Sequence, residues 1–168
     1  MKKTTTLLAA LILLSATFVL GQSKSVDAFK NKYKDDRDAT VITLQGNIFK
    51  LISSIADYSD DEDAQALSKV ADGIKSMQIL SLPKYETGLD SEEIKQLKSN
   101  LKKESYEELM NIKEGRETVV IYSQGSEDEV RNMLILVEEK DEFVLITIDG
   151  VLKMKDLAYI ANNHKKWN

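Results

Sequence analysis

The chain has 168 residues, with 23 basic and 28 acidic side chains, a single histidine and no cysteine. Those counts exclude a disulfide scaffold, thiol catalysis and a histidine-rich zinc site. A formal charge of −5 argues against nucleic acid as a partner, because phosphate binding requires concentrated positive charge.

Met1-Lys2-Lys3 opens a positive n-region, and Leu7-Leu8-Ala9-Ala10-Leu11-Ile12-Leu13-Leu14 continues it as an apolar h-region. Val19 and Gly21 suit the −3 and −1 positions of a signal peptidase site, so cleavage is expected after Gly21. A spanning helix needs about 20 apolar residues, which makes an uncleaved anchor the lesser alternative. Residues 1–21 are therefore read as a signal peptide and residues 22–168 as one α+β domain. Loss of Lys2 and Lys3 lowers the basic count from 23 to 21 against 28 acids, a mature charge of −7. The absent cysteine also removes the attachment point of a bacterial lipoprotein. The protein is expected to be exported, periplasmic or secreted, with no stable membrane anchor once the signal is removed.

Ser25 is expected to cap a short helix with Val26, Phe29 and Tyr33 inward. Residues 39–45 read as a strand, because Thr40, Val41, Ile42 and Thr43 are β-branched. Ile48, Leu51, Ile52 and Ile55 repeat at helical spacing over residues 47–57. A second helix follows, with Ala64, Leu67, Val70, Ala71 and Ile74 on one face and Gly73 near its end. Residues 75–82 form the next strand, closed by Pro83, and residues 83–88 form a loop. Asp90 with Glu93 signals a helix start, and Ile94, Leu97 and Leu101 give that helix its stripe. Ser105 with Glu108 repeats the signal, so a further helix is predicted through Tyr106, Leu109 and Met110.

The last third changes character. Residues 117–123, 130–138 and 142–149 read as three strands with connections short enough for antiparallel hairpins. Met133-Leu134-Ile135-Leu136-Val137 and Phe143-Val144-Leu145-Ile146 do not alternate, so both faces are expected to be covered, by helices or by a partner. Leu134, Leu136, Leu145 and Ile146 are assigned to the central core. Gly150 ends the meander, and residues 152–162 form a last helix with Leu157, Ile160 and Ala161 inward. The first two strands, joined through helices, should be parallel if they are neighbours. The expected fold is α+β: a five-stranded mixed sheet ending in a three-strand antiparallel meander, with helices on at least one face.

Tyr106-Glu107-Glu108-Leu109-Met110, Gly115, Val119 to Tyr122, Leu134-Ile135-Leu136-Val137 and Glu142-Phe143-Val144-Leu145-Ile146-Thr147-Ile148-Asp149-Gly150 resemble the family called domain of unknown function 4252. The resemblance is clearest from Ile74-Lys75-Ser76-Met77 to Leu157. It implies a small protein of the bacterial envelope, an α+β fold and no assigned activity. Relatives near sigma and anti-sigma factors point to envelope signalling. Many relatives resemble lipoproteins, from which this chain departs. The family supplies no catalytic residue.

The acidic cluster Asp57, Asp60, Asp61, Glu62 and Asp63 invites comparison with a calcium loop. Counted from Asp57, position 6 is Glu62 where an EF-hand needs glycine, and position 12 is Ser68 where it needs a bidentate glutamate. The better reading is a capping box of Ser59 and Glu62, with acids in a first helical turn. His164 lies among Asn162, Asn163, Lys165 and Lys166 at the end, a solvated position without the partner and pocket a general base needs. Lys153, Lys155, Lys165 and Lys166 with Trp167 are too few charges for more than a solubilising face. Gly125 and Gly150 are hairpin and strand-end positions and not parts of a phosphate loop. No catalytic, cofactor-binding or metal residue is assigned, and no cofactor is expected.

The leading expectation is a non-enzymatic exported domain that binds an envelope protein or peptide. The alternatives are a metal-independent hydrolase using carboxylates and a carrier of an apolar ligand. A binding module requires an exposed apolar patch or open sheet edge, an enzyme a pocket with acids of displaced pKa, and a carrier a closed apolar cavity.

Overall fold

The computed structural model describes residues 23–163; the predicted signal peptide and His164, Lys165, Lys166 and Trp167 lie outside the described residues. The elements follow in the order α1 (Lys24–Tyr33), β1 (Thr40–Gln45), α2 (Gly46–Ala56), α3 (Glu62–Gly73), β2 (Ile74–Pro83), α4 (Lys84–Thr87), α5 (Ser91–Lys103), β3 (Glu107–Glu114), β4 (Glu117–Gly125), β5 (Glu129–Glu138), β6 (Glu142–Lys153) and α6 (Met154–Asn163). The fold is α+β. All six strands join one antiparallel sheet in the order β1-β2-β6-β5-β4-β3.

Two expectations are corrected here. The sheet has six strands and is antiparallel throughout, where five strands in a mixed sheet were expected. Strands β1 and β2 are neighbours but run antiparallel. The reason lies in α2 and α3, which pack against each other, Ser53 Oγ lying 3.0 Å from Ser68 Oγ. A helical hairpin returns the chain to the sheet end it left, whereas a parallel pair needs a crossover to the opposite end.

The sixth strand is β3, where a helix was expected. Ser105 takes a left-handed φ of +62°, which breaks the chain after α5. Glu114 and Glu117 then pair across Gly115-Arg116, with Gly115 at φ +58°, as a two-residue hairpin turn demands. Strand β6 also runs through Gly150 to Lys153, so Leu152 is a buried strand residue and not part of the last helix. Ile74 likewise opens β2 and does not belong to α3. Residues 84–87 make a single helical turn inside the predicted loop, ended by Gly88 at φ +67°.

Capping residues shift by two positions. Ser23, and not Ser25, caps α1, its Oγ accepting from Val26 N at 3.0 Å. Asp61, and not Ser59, caps α3, its Oδ1 accepting from Asp63 N at 3.0 Å. Asp90 caps α5 as expected, accepting from Glu93 N at 2.8 Å.

The main core lies between one sheet face and helices α1 and α5. Val26, Phe29 and Tyr33 from α1 and Ile94, Leu97 and Leu101 from α5 meet Leu80, Leu82, Val120, Tyr122, Leu134, Leu136, Phe143 and Leu145 from the strands. The rings of Phe29 and Phe143 stand 5.6 Å apart, edge to face. Ile146, assigned to this core from sequence, points the other way. Side chains alternate along a strand and directly opposed residues share a face. Ile42, Ile79, Ile146, Ile135, Ile121 and Met110 are consecutive partners across all six strands and form one row on the opposite face. A parallel row runs Ser81, Val144, Val137, Val119 and Ile112. None of these eleven side chains reaches full burial, and the edge residues Ile42, Met110 and Ile112 are exposed. The principal core thus covers one face; the other is apolar and partly exposed along these two rows, while Ile148, in register with Met77 and Met133 on the same face, is buried.

Candidate functional site

Helix α2 contains the most exposed apolar stripe among the described residues. Phe49 and Ser53 are buried, with Ser53 turned toward Ser68 of α3. Ile48, Leu51, Ile52 and Ile55, at spacings of three, one and three, are 40–66 % exposed. Tyr58 continues the line beyond the helix at 92 % exposure. Sequence periodicity identifies those isoleucines and Leu51 as the apolar stripe of a helix, and the structure turns that stripe outward. Phe49 is the signal that it missed: a helix apolar on both sides requires cover on both sides, and α3 supplies only one.

The acidic cluster stands at the C-terminal end of that stripe. Asp57 accepts a hydrogen bond from Ser68 Oγ at 2.5 Å, and Ser59 Oγ accepts from Asp61 N at 3.2 Å. With Asp61 capping α3, part of the cluster is committed to holding the α2–α3 turn. Among the described residues no group of three or more His, Cys, Asp or Glu side chains gathers as a metal would need. Asp57, Asp60, Asp61 and Glu62 are exposed, and they lie beside the negative end of the α2 dipole. The result is an apolar stripe with an acidic collar.

Other polar groups hold the fold together. Glu104, which follows α5, accepts from Ser25 Oγ at 2.6 Å and Ser25 N at 3.1 Å, tying α1 to the end of α5. Burial pushes its pKa up, but hydrogen bonds from Ser23 and Ser25 and the nearby Lys24 ammonium outweigh burial and hold it below the ordinary 4.5. Glu93 is likewise held low, by hydrogen bonds from Lys32 and then from the Tyr33 hydroxyl. Tyr106 is pushed up to about 12, by burial first and then by the charges of Asp149, Glu104 and Asp27, so its phenol stays protonated at neutral pH. The cavity that Tyr106 lines with Asn132, Thr147 and Asp149 measures about 10 Å³, room for one water at most. Two larger cavities of about 350 Å³ are open grooves, one between α1 and α5 and the other between α3 and α6. Lys155 lines the second; Lys153 is exposed.

A lowered carboxylate pKa stabilises the fold fully above the unfolded value and loses that contribution as pH falls through the folded one. Glu93 and Glu104 therefore predict stability that is flat above about pH 5 and declines below the ordinary carboxylate range. Urea melts across that interval should show a shallower decline for Glu104→Gln than for the unaltered protein. An unchanged pH profile would remove Glu104 from the account.

No curated protein matches the chain, and no solved structure matches it. Residues 33–160, from the end of α1 to within α6, match the family model described as a domain of unknown function (DUF4252). That span includes the whole sheet and the α2–α3 hairpin, and the chain belongs to this family.

Proposed function

We propose that the protein is an exported, non-enzymatic domain of the bacterial envelope that binds a protein or peptide partner through the outward stripe of α2. The observation that carries this reading is the exposure of Ile48, Leu51, Ile52 and Ile55 on one side of a helix whose other side is already packed. Monomeric proteins rarely leave a contiguous apolar surface without a use for it. The acidic collar sets the partner's chemistry. An anionic lipid surface would be repelled by Asp57, Asp60, Asp61 and Glu62, because interfacial helices that bind such surfaces carry Lys and Arg. A polypeptide with apolar anchors followed by Lys or Arg satisfies both parts, and charge complementarity would set its register. Envelope signalling, which the family resemblance suggests, is one setting for such a module.

Complementation of a gene deletion tests the reading. Leu51→Ser with Ile55→Ser should abolish function while leaving the melting temperature nearly unchanged, since both side chains are exposed. Single carboxylate-to-amide changes across the chain should each retain function. One such change that abolished activity in a folded protein would favour a carboxylate hydrolase and overturn the proposal.

Export is part of the same proposal. The mature protein is expected to begin at Gln22, and intact-mass measurement of the protein from its native compartment decides it. A mass that includes residues 1–21 would contradict cleavage.

A further inference from the structure

The sheet face opposite α1 and α5 is a second apolar surface, distinct from the α2 stripe. Its central row is Ile42, Ile79, Ile146, Ile135, Ile121 and Met110, one side chain from each strand in direct register. No charged residue interrupts that row. The nearest carboxylates on this face, Glu114, Glu117 and Glu142, lie toward one end of the strands, and Glu142 is engaged by the Ser81 hydroxyl.

We propose that this face is covered by a second copy of the chain, packed sheet to sheet about a two-fold axis. Three features select a copy over other occupants. First, the central row is uncharged and built of five isoleucines and one methionine, so it is complementary to itself, as an isologous interface requires. Second, its size suffices. Six strands about 4.8 Å apart and some five residues of about 3.3 Å each give a footprint of roughly 25 by 17 Å. Two copies then withdraw on the order of 1,000 Å² once side-chain relief is counted, the threshold for a specific interface. Third, the charges permit it. An axis across the strands sets the strand directions of the two copies opposite, which places the Glu114, Glu117 and Glu142 ends far apart. Aligned sheets pack about 10 Å apart at about −30°, a geometry this even row of isoleucines can fill. Met77, Met110 and Met133, also on this face, adapt their shape to residual gaps.

Sedimentation velocity of the protein as isolated from its native compartment, over rising micromolar concentration, tests the proposal. Hydroxyl-radical footprinting of Met77, Met110 and Met133 in the same samples locates the contact. The expected result is a doubling of mass, with oxidation of those three methionines falling as the dimer forms. Ile135→Lys should remain monomeric at the same concentrations. If that variant fails to fold, footprinting of the unaltered protein decides alone. A monomer throughout, a dimer whose three methionines stay as reactive as at low concentration, or a folded Ile135→Lys that still dimerises would overturn the proposal. Leu51 and Ile55 belong to α2 and not to the strand rows, so the dimer and partner binding through α2 are tested on separate variants and either can fail without the other.

Discussion

Leu136→Ala is expected to cost about 2–5 kcal/mol of folding stability, because lost transfer energy and a residual cavity add at a fully enclosed site. Leu136 is 0 % exposed and lies under α1 and α5 in a cluster with Leu134, Phe143 and Leu145. Leu145→Ala belongs to the same class. Ile146→Ala, one residue along the same strand, should cost about 1 kcal/mol in the monomer, since its side chain is only partly removed from water. Equilibrium urea unfolding at a concentration that keeps the protein monomeric measures the contrast. Equal losses at Leu145 and Ile146 would mean that both sheet faces are covered within one chain.

The second large effect is expected at Gly150. Its backbone presses against Gly73 where α3 gives way to β2, at the irregular pairing of Ile74 and Ser76 with β6. A Cβ at residue 150 would lie 2.3 Å from Gly73 O, and one at residue 73 would lie 2.5 Å from Val151 O. Both obstacles are main chain, which cannot turn aside as a side-chain tip could. Gly150→Ala should therefore destabilise by about 3 kcal/mol or more, the upper end of overpacking costs. Gly88→Ala offers the control: φ is positive at Gly88, unlike at Gly150, but a Cβ meets nothing within 4 Å, so only backbone strain of about 1 kcal/mol is expected. Comparable melting temperatures for the two variants would refute the close approach.

Much of this architecture is legible in the sequence because local signals agree with it. Asp90 with Glu93, the 94/97/101 stripe and the basic last turn at Lys102 and Lys103 all specify α5, and the structure follows them. Residues 106–110 show how the same signals mislead. Ser105 and Glu108 imitate a capping box, yet Met110 and Ile112 alternate toward Val119 and Ile121 across Gly115-Arg116. Read together, alternation and a two-residue glycine turn outweigh the cap. Strand direction was not local information. It depends on α2 and α3 folding back on each other, which rests on contacts such as that of Ser53 with Ser68, 15 residues apart.

The candidate surfaces were legible only in part. Unbroken apolar runs in β5 and β6 reveal that both faces of the sheet are apolar, but not which face the helices take. Phe29 and Phe143 settle that through a contact between residues far apart in the chain. Helix α2 shows its excess of apolar residues plainly. Which of them point outward follows from the position of α3, and no property of α2 alone fixes it.

The central claim is that the α2 stripe receives a polypeptide. Site-specific photo-crosslinking in living cells tests it most directly, with the probe placed in turn at Leu51, Ile55 and, as a control, Lys98 on α5. The account predicts one discrete adduct from residues 51 and 55, none from residue 98, and loss of that adduct in an Ile52→Glu variant. The crosslinked segment should combine apolar anchors with Lys or Arg. No adduct at either α2 position, or one that persists unchanged in Ile52→Glu, would contradict the claim.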